Sequence, residues 1–315
     1  VAVVAVALMA SSARVDEPVE IGPAPPRPEL VASVAPAPPA AASEVSVAPA
    51  GVDAPPPTQP TAPPAQPARP VDDLLVQAHA HHERGEHEAA RRLFDEALTL
   101  EPRRVDALVG RGRVRAVLGD RRGAVEDYTA ALALDPRRPD TLVDRGLMHG
   151  QLGDADAAIA DYTAALALDP DLAIAAAYRG NVHVRRGDAR AALADWSAAL
   201  ELDPRLTFVV FNRGTLRLDV GDLVGAIADL TTALDQGHPR RATILGSRGA
   251  ARLRLGEHQA AIDDLTASLE LDPRQVPALV ARGDARRALS DRPGAAADYA
   301  AALELEPAHP RADEL

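Results

Sequence analysis

The chain has 315 residues and a formal net charge of −12 at pH 7, and every one of its 34 basic residues is an arginine. That acidic balance excludes a binder of phosphate backbones, which needs a basic stripe, and the lack of cysteine excludes disulfides, thiolate metal sites and thiol nucleophiles. With one Trp, four Tyr and three Phe in an Ala-, Leu- and Val-rich composition, the core must be built from closely packed small side chains rather than from rings.

The chain opens with ten apolar residues, Val1 to Ala10, followed by Ser11-Ser12-Ala13-Arg14. A bilayer span needs about 20 apolar residues, so this run alone is too short for one. It has the length of the apolar region of a secretory signal, with Ser11-Ser12-Ala13 as a small-x-small cleavage site. No initiator Met and no basic stretch stands before it, so it reads equally well as the end of a transmembrane helix. Residues 1–14 are thus expected to be the remnant of a signal peptide or membrane anchor, and the rest of the chain is expected outside the cytoplasm.

Between Pro18 and Pro70 lie 17 of the 28 prolines, set among Ala, Val and Ser. Proline fixes φ and removes amide donors, so neither helix nor sheet propagates through residues 15–70. The segment is predicted to be a disordered, Pro/Ala-rich spacer, rising about 3 Å per residue where it is polyproline-like. Its Pro-x-x-Pro spacings, such as Pro60 to Pro63, are what such a composition produces by chance.

From Val71 onward the sequence repeats with a period of 34. Pro102, Pro136, Pro170 and Pro204 are 34 apart, Pro239 follows after 35, and Pro273 and Pro307 resume the period. In the same phase stand Gly85, Gly119, Gly153, Gly187, Gly221 and Gly256, and finally Ser290. Each marks the end of one apolar-periodic segment and the start of another. Glycine permits the left-handed turn there, and Asp120, Asp154, Asp188 and Asp222 can cap the helix that follows. Proline then ends that second helix. Each unit is therefore predicted to be two antiparallel helices of about 13 residues across a tight turn.

Small residues recur seven before the turn (Gly112, Gly146, Gly180, Gly214, Gly249, Gly283), five after it (Ala90 to Ala295) and twelve after it (Ala97 to Ala302). Nine after the turn stands a bulky residue: Phe94, Tyr128, Tyr162, Trp196, Leu230, Leu265 or Tyr299. This pattern resembles the tetratricopeptide repeat. The resemblance implies an all-α, right-handed superhelical solenoid of seven repeats, at about 71–104, 105–138, 139–172, 173–206, 207–241, 242–275 and 276–309. The apolar faces of the stacked units are expected to form one continuous seam.

Eight residues before the turn stand Arg111, Arg145, Arg179, Arg213, Arg248 and Arg282. Eight after it stand Asp127, Asp161, Asp195, Asp229, Asp264 and Asp298. The first unit lacks both, with Gln77 and Leu93 instead. Loss of both members together predicts that they meet as a partly buried, bidentate ion pair within each repeat.

The sequence contains no nucleophile elbow, phosphate loop or zinc-ligand spacing, so no catalytic residue, cofactor or metal site is assigned. The histidine-rich stretch His79-Ala-His81-His82-Glu83 places His79, His82 and Glu83 on one helical face. Gly85 interrupts any His-Glu-x-x-His pattern, which leaves the stretch as a solvated polar face.

Five of the eight aromatics occupy the repeat's own core phase, which leaves Tyr178, Phe208 and Phe211. The resemblance places first helices on the concave surface, and it places Asn181 and Asn212 where related repeats present amides to a peptide. These five residues are the candidate partner-binding cluster. The alternative is that the Phe pair fills the joint between the fourth and fifth units. An insertion at Asp235-Gln236-Gly237-His238-Pro239 is expected to open the groove there. Family members that clamp a chaperone's terminal carboxylate use Lys with Asn, and this chain has no Lys; Thr243 and Ser247 stand at the corresponding phases, so that ligand is not expected.

The expected function is a non-catalytic scaffold that binds a protein or peptide in its groove. The alternative is the extracytoplasmic tail of a larger membrane-spanning signalling enzyme, such as a Ser/Thr protein kinase encoded upstream of Val1. Weak self-association through the last repeat is a further expectation.

Overall fold

The computed structural model describes residues 70–309; the apolar run and the proline-rich spacer lie outside the described residues. Fourteen α-helices make up the described chain, in seven consecutive pairs. The pairs are α1 (Val71–Glu83) with α2 (His87–Leu100), α3 (Val105–Val117) with α4 (Arg121–Leu134), and α5 (Pro139–Leu152) with α6 (Ala155–Leu168). Then come α7 (Ala173–Arg185) with α8 (Ala189–Leu202), α9 (Thr207–Val220) with α10 (Leu223–Asp235), α11 (Arg241–Leu255) with α12 (His258–Leu271), and α13 (Val276–Ala288) with α14 (Arg292–Leu305).

Local chemistry explains the boundaries. The six turn glycines have φ between 77° and 90°, the left-handed region closed to most residues, and Ser290 occupies the same region at 67°. Asp120, Asp154, Asp188, Asp222 and Asp291 each accept a bond from the amide three residues on, a side-chain N-cap. At the far end of the unit, Asp135, Asp169, Asp203 and Asp272 precede proline and take extended backbone. Their carboxylates accept the amide two residues later, which fixes the path into the next helix.

The small-residue phase exists to make room. A Cβ at Gly180 would lie 2.7 Å from the Trp196 indole, and one at Gly112 would lie 2.6 Å from the Tyr128 ring. The bulky residue of each second helix thus lies directly on the backbone of the first. Trp196, Tyr128, Tyr162 and Phe94 are the largest fully buried side chains.

Successive first helices also touch one another, α1 to α3, α3 to α5, α5 to α7, α9 to α11 and α11 to α13, so they form the inner face of the curve. The α7–α9 step is the loosest, and there the rings of Tyr178 and Phe208 meet, centroids 6.4 Å apart.

The expected single seam is divided into three apolar clusters. One runs through the first three pairs, one from α4 to α11 and one from α12 to α14. The second break has a polar cause. Ser268 takes the phase held elsewhere by Ala, is fully buried, and bonds to the Ala242 carbonyl at 2.8 Å and to Gln275 at 3.3 Å.

Candidate functional site

The structure brings the six predicted Arg–Asp pairs together. Each arginine on a first helix donates Nε and Nη2 to the two oxygens of the aspartate on its own second helix, at 2.6–3.2 Å. The carboxylates are 3–8 % exposed, so these are clasps held in the wall of the solenoid and not groove charges.

Two features of the clasp escaped sequence reasoning. First, Nη1 reaches back to the preceding unit. Its acceptors are Asp95 for Arg111, Thr129 for Arg145, Thr163 for Arg179, Ser197 for Arg213, Thr231 for Arg248 and Thr266 for Arg282, at 2.8–3.2 Å. A signal was present, because all six acceptors directly follow the bulky core residue. Second, a further side chain one helical turn on faces the same carboxylate: Arg115, Arg217, Arg252 and Arg286 lie at 2.8–3.0 Å, and the rings of His149 and His183 stand off at 3.9 and 3.7 Å.

The five candidate partner-binding residues lie on α7 and α9 and are buried. Tyr178, Asn181, Phe208, Phe211 and Asn212 are 4–7 % exposed. Tyr178 lies between Tyr162 and Phe208, with ring centroids 6.1 and 6.4 Å away. The Asn181 carbonyl accepts from Trp196 Nε1 at 3.1 Å and from Asn212 Nδ2 at 3.4 Å. The insertion does not leave the groove open at this point. It folds the buried ring of His238 onto Phe211, centroids 4.9 Å apart, with the Arg240 guanidinium 6.0 Å from the same ring. Phe208 on α9 thus lies against Tyr178 of α7, and Phe211 against His238 beyond α10.

A shallow surface hollow lies between α5 and α7. Leu147, Gln151, Tyr162, Arg185 and the edges of Tyr178 and Asn181 line it. Burial, reinforced by the charge of Asp144, pushes the Tyr178 hydroxyl up to about 12, so it stays protonated at neutral pH. Burial also raises the Asp144 carboxyl, an effect opposed by Arg113, whose Nε donates to it at 2.9 Å. Burial likewise raises Asp219, opposed by Arg254.

At the other end, His79 sets its edge on Phe94, centroids 5.2 Å apart, and His81 pairs with Glu86. His82 and His87 bring their Nδ1 atoms to 3.2 Å, and burial with both neighbouring imidazoles holds His82 below the usual histidine range. The face predicted to be a solvated polar surface is thus partly folded against the second helix. No group of three or more His, Asp or Glu suited to a metal ion occurs among the described residues.

Residues 75–139, 113–173 and 211–276 match the sequence profile described as tetratricopeptide repeat. No curated protein matches the sequence. Among solved structures, PilF of Pseudomonas aeruginosa aligns with a TM-score of 0.58 at 19% identity, covering 66% of this chain and 94% of that one. YrrB, described as a tetratricopeptide repeat protein with an unusual peptide-binding site, aligns at 0.57 and 20%, covering 60% and 97%. PilW, described as a widely conserved type IV pilus biogenesis factor, aligns at 0.56 and 20%, covering 65% and 94%. At these identities the likeness is one of fold.

Proposed function

The chain belongs to the tetratricopeptide repeat family, and from that premise we propose that it is a non-catalytic scaffold that binds a protein or peptide along its inner face. The observation that carries the reading is the inner face itself: first helices from α1 to α13 line one side, with a hollow between α5 and α7 open to an approaching chain. The polar clusters of the wall support it, since the six clasps spend their charges on holding neighbouring units. Bonds that tie each unit to the one before favour a surface formed ahead of binding, so that association orders little of the receptor. YrrB's peptide-binding site supports the same class of partner. The proposal extends to a location outside the cytoplasm, on the strength of the apolar run at Val1–Ala10 ahead of a proline-rich spacer.

The test is selection of peptides from a random display library against the full chain, followed by hydrogen-exchange mapping of the bound state. Slowed exchange confined to the odd-numbered helices supports the reading. Slowed exchange confined to the even-numbered helices, or the absence of any selected peptide, contradicts it.

A further inference from the structure

The first unit lacks the Arg–Asp clasp, with Gln77 and Leu93 at its phases, and a different polar contact joins its two helices. His82 lies in the last turn of α1 and His87 opens α2, so the left-handed turn at Gly85 folds one back on the other. Their Nδ1 atoms face each other at 3.2 Å, with ring centroids 5.1 Å apart and planes inclined at 56°. No other unit has histidine at both phases; the second carries Ala116 and Arg121, and the sixth carries Leu253 and His258. The contact is partly buried. Burial and the neighbouring imidazoles hold His82 below the usual histidine range, so at neutral pH the ring is uncharged and has a lone pair to offer.

Two imidazole nitrogens aimed at one point are the donor set of a borderline metal ion rather than of a hard one such as Mg²⁺. The spacing agrees. Zinc–imidazole bonds of about 2.0–2.1 Å meeting at a tetrahedral angle set their nitrogens about 3.3–3.4 Å apart. We propose that His82 and His87 chelate a divalent late transition-metal ion, of the zinc class, through Nδ1, and so fasten the helix pair that has no clasp. No third described His, Asp or Glu completes the set, so water fills the remaining positions and the fastening is reversible. Charge favours a cation here: residues 71–104 hold eight acidic residues against five arginines, and Glu83 acts electrostatically on His82. Arg84 is the adverse charge nearest in sequence, and it is turned to Glu86 at 3.2 Å and to His81 at 3.1 Å. A proton shared between the two rings suits the same 3.2 Å but predicts no response to metal.

The test uses the full chain, made without a histidine tag and stripped of metal by a chelator, and titrates it with Zn²⁺ or Ni²⁺ by calorimetry at pH 7.5. Mg²⁺ is the hard-ion control. The variants are His82→Gln, His87→Gln, the two combined, and His258→Gln, which alters a histidine in the sixth unit. Circular dichroism checks that each variant folds. The expected result is one Zn²⁺ per chain and no Mg²⁺, with affinity at least tenfold lower in His82→Gln and in His87→Gln and unchanged in His258→Gln. Amide exchange of the wild type should slow in α1 and α2 when Zn²⁺ is added, while α7 and α8 stay unaltered, and the combined variant should show no slowing. Affinity that survives in both single variants, or binding that leaves exchange in the first pair unaltered, marks an adventitious ion only and overturns the proposal. Absence of any Zn²⁺ or Ni²⁺ binding overturns it as well, and leaves the contact as a shared proton.

Discussion

The first helix pair and the six that follow it share one register but are fastened differently. In each of the six, an arginine grips its own aspartate and reaches back to the unit before. The first pair has Gln77 and Leu93 at those phases, Ala78 in place of glycine, and Glu86 without a side-chain cap. It is held from outside, by Arg111 of the next unit on Asp95 and by Arg104 on Asp72. The difference teaches that the clasp is a fastening between neighbours as much as within a pair, since a pair without its own clasp still receives one leg of its neighbour's.

The largest expected effect comes from breaking an interior clasp. Asp195→Ala strands Arg179 and should cost about 3 kcal/mol in urea unfolding, at the low end for a broken buried pair because the arginine side chain keeps 24% of its surface exposed. Gln77→Ala, at the clasp phase of the first pair, should change stability by no more than about 0.5 kcal/mol. Equal losses would erase the distinction between the two regions.

Next is Gly180→Ala, which drives a methyl into Trp196. Overpacking of about 2 to 3 kcal/mol against about 1 gained in helix propensity leaves a net loss of about 1 to 2 kcal/mol. The first pair already carries Ala78 at this phase, with Phe94 rather than an indole opposite. Ser290→Gly acts in the other direction and should stabilise by about 1 kcal/mol, by relieving a left-handed serine at the one turn where glycine is missing.

The smallest effect is a pH response confined to the first pair. The fold holds His82 below its unfolded value, so the unfolded chain binds more protons as pH falls through 6.5. Stability from this group is full above that pH and is lost on acidification. Amides of α1 should therefore exchange faster at pH 5.5 than at 7.5, after correction for intrinsic rates, while those of α7 and α8 keep their protection. His82→Gln should abolish the response.

The sequence made the architecture legible because the period placed every turn glycine, cap and proline in phase, and these residues act locally. The clasps were legible for a related reason, since one unit lost both members at once. The backward leg was not recognised because its acceptor changes type, from Asp95 to Thr129 to Ser197, while keeping its phase. The groove cluster was legible only as a set of residues left over from the repeat's core phase. A Phe on a first helix serves a joint or a ligand equally well in one dimension, and the contact of Phe211 with the ring of His238 has no counterpart in the repeat pattern.

Trp196, the only tryptophan in the chain, sits fully buried in the fourth unit and reports on the centre of the solenoid alone. Far-ultraviolet circular dichroism reports on all the helices. A urea titration of the full chain followed by both signals tests whether backward legs and shared apolar faces make the units depend on one another. Coincident midpoints and slopes are the predicted result. Two separated transitions, with indole fluorescence changing while most helical signal persists, would contradict it.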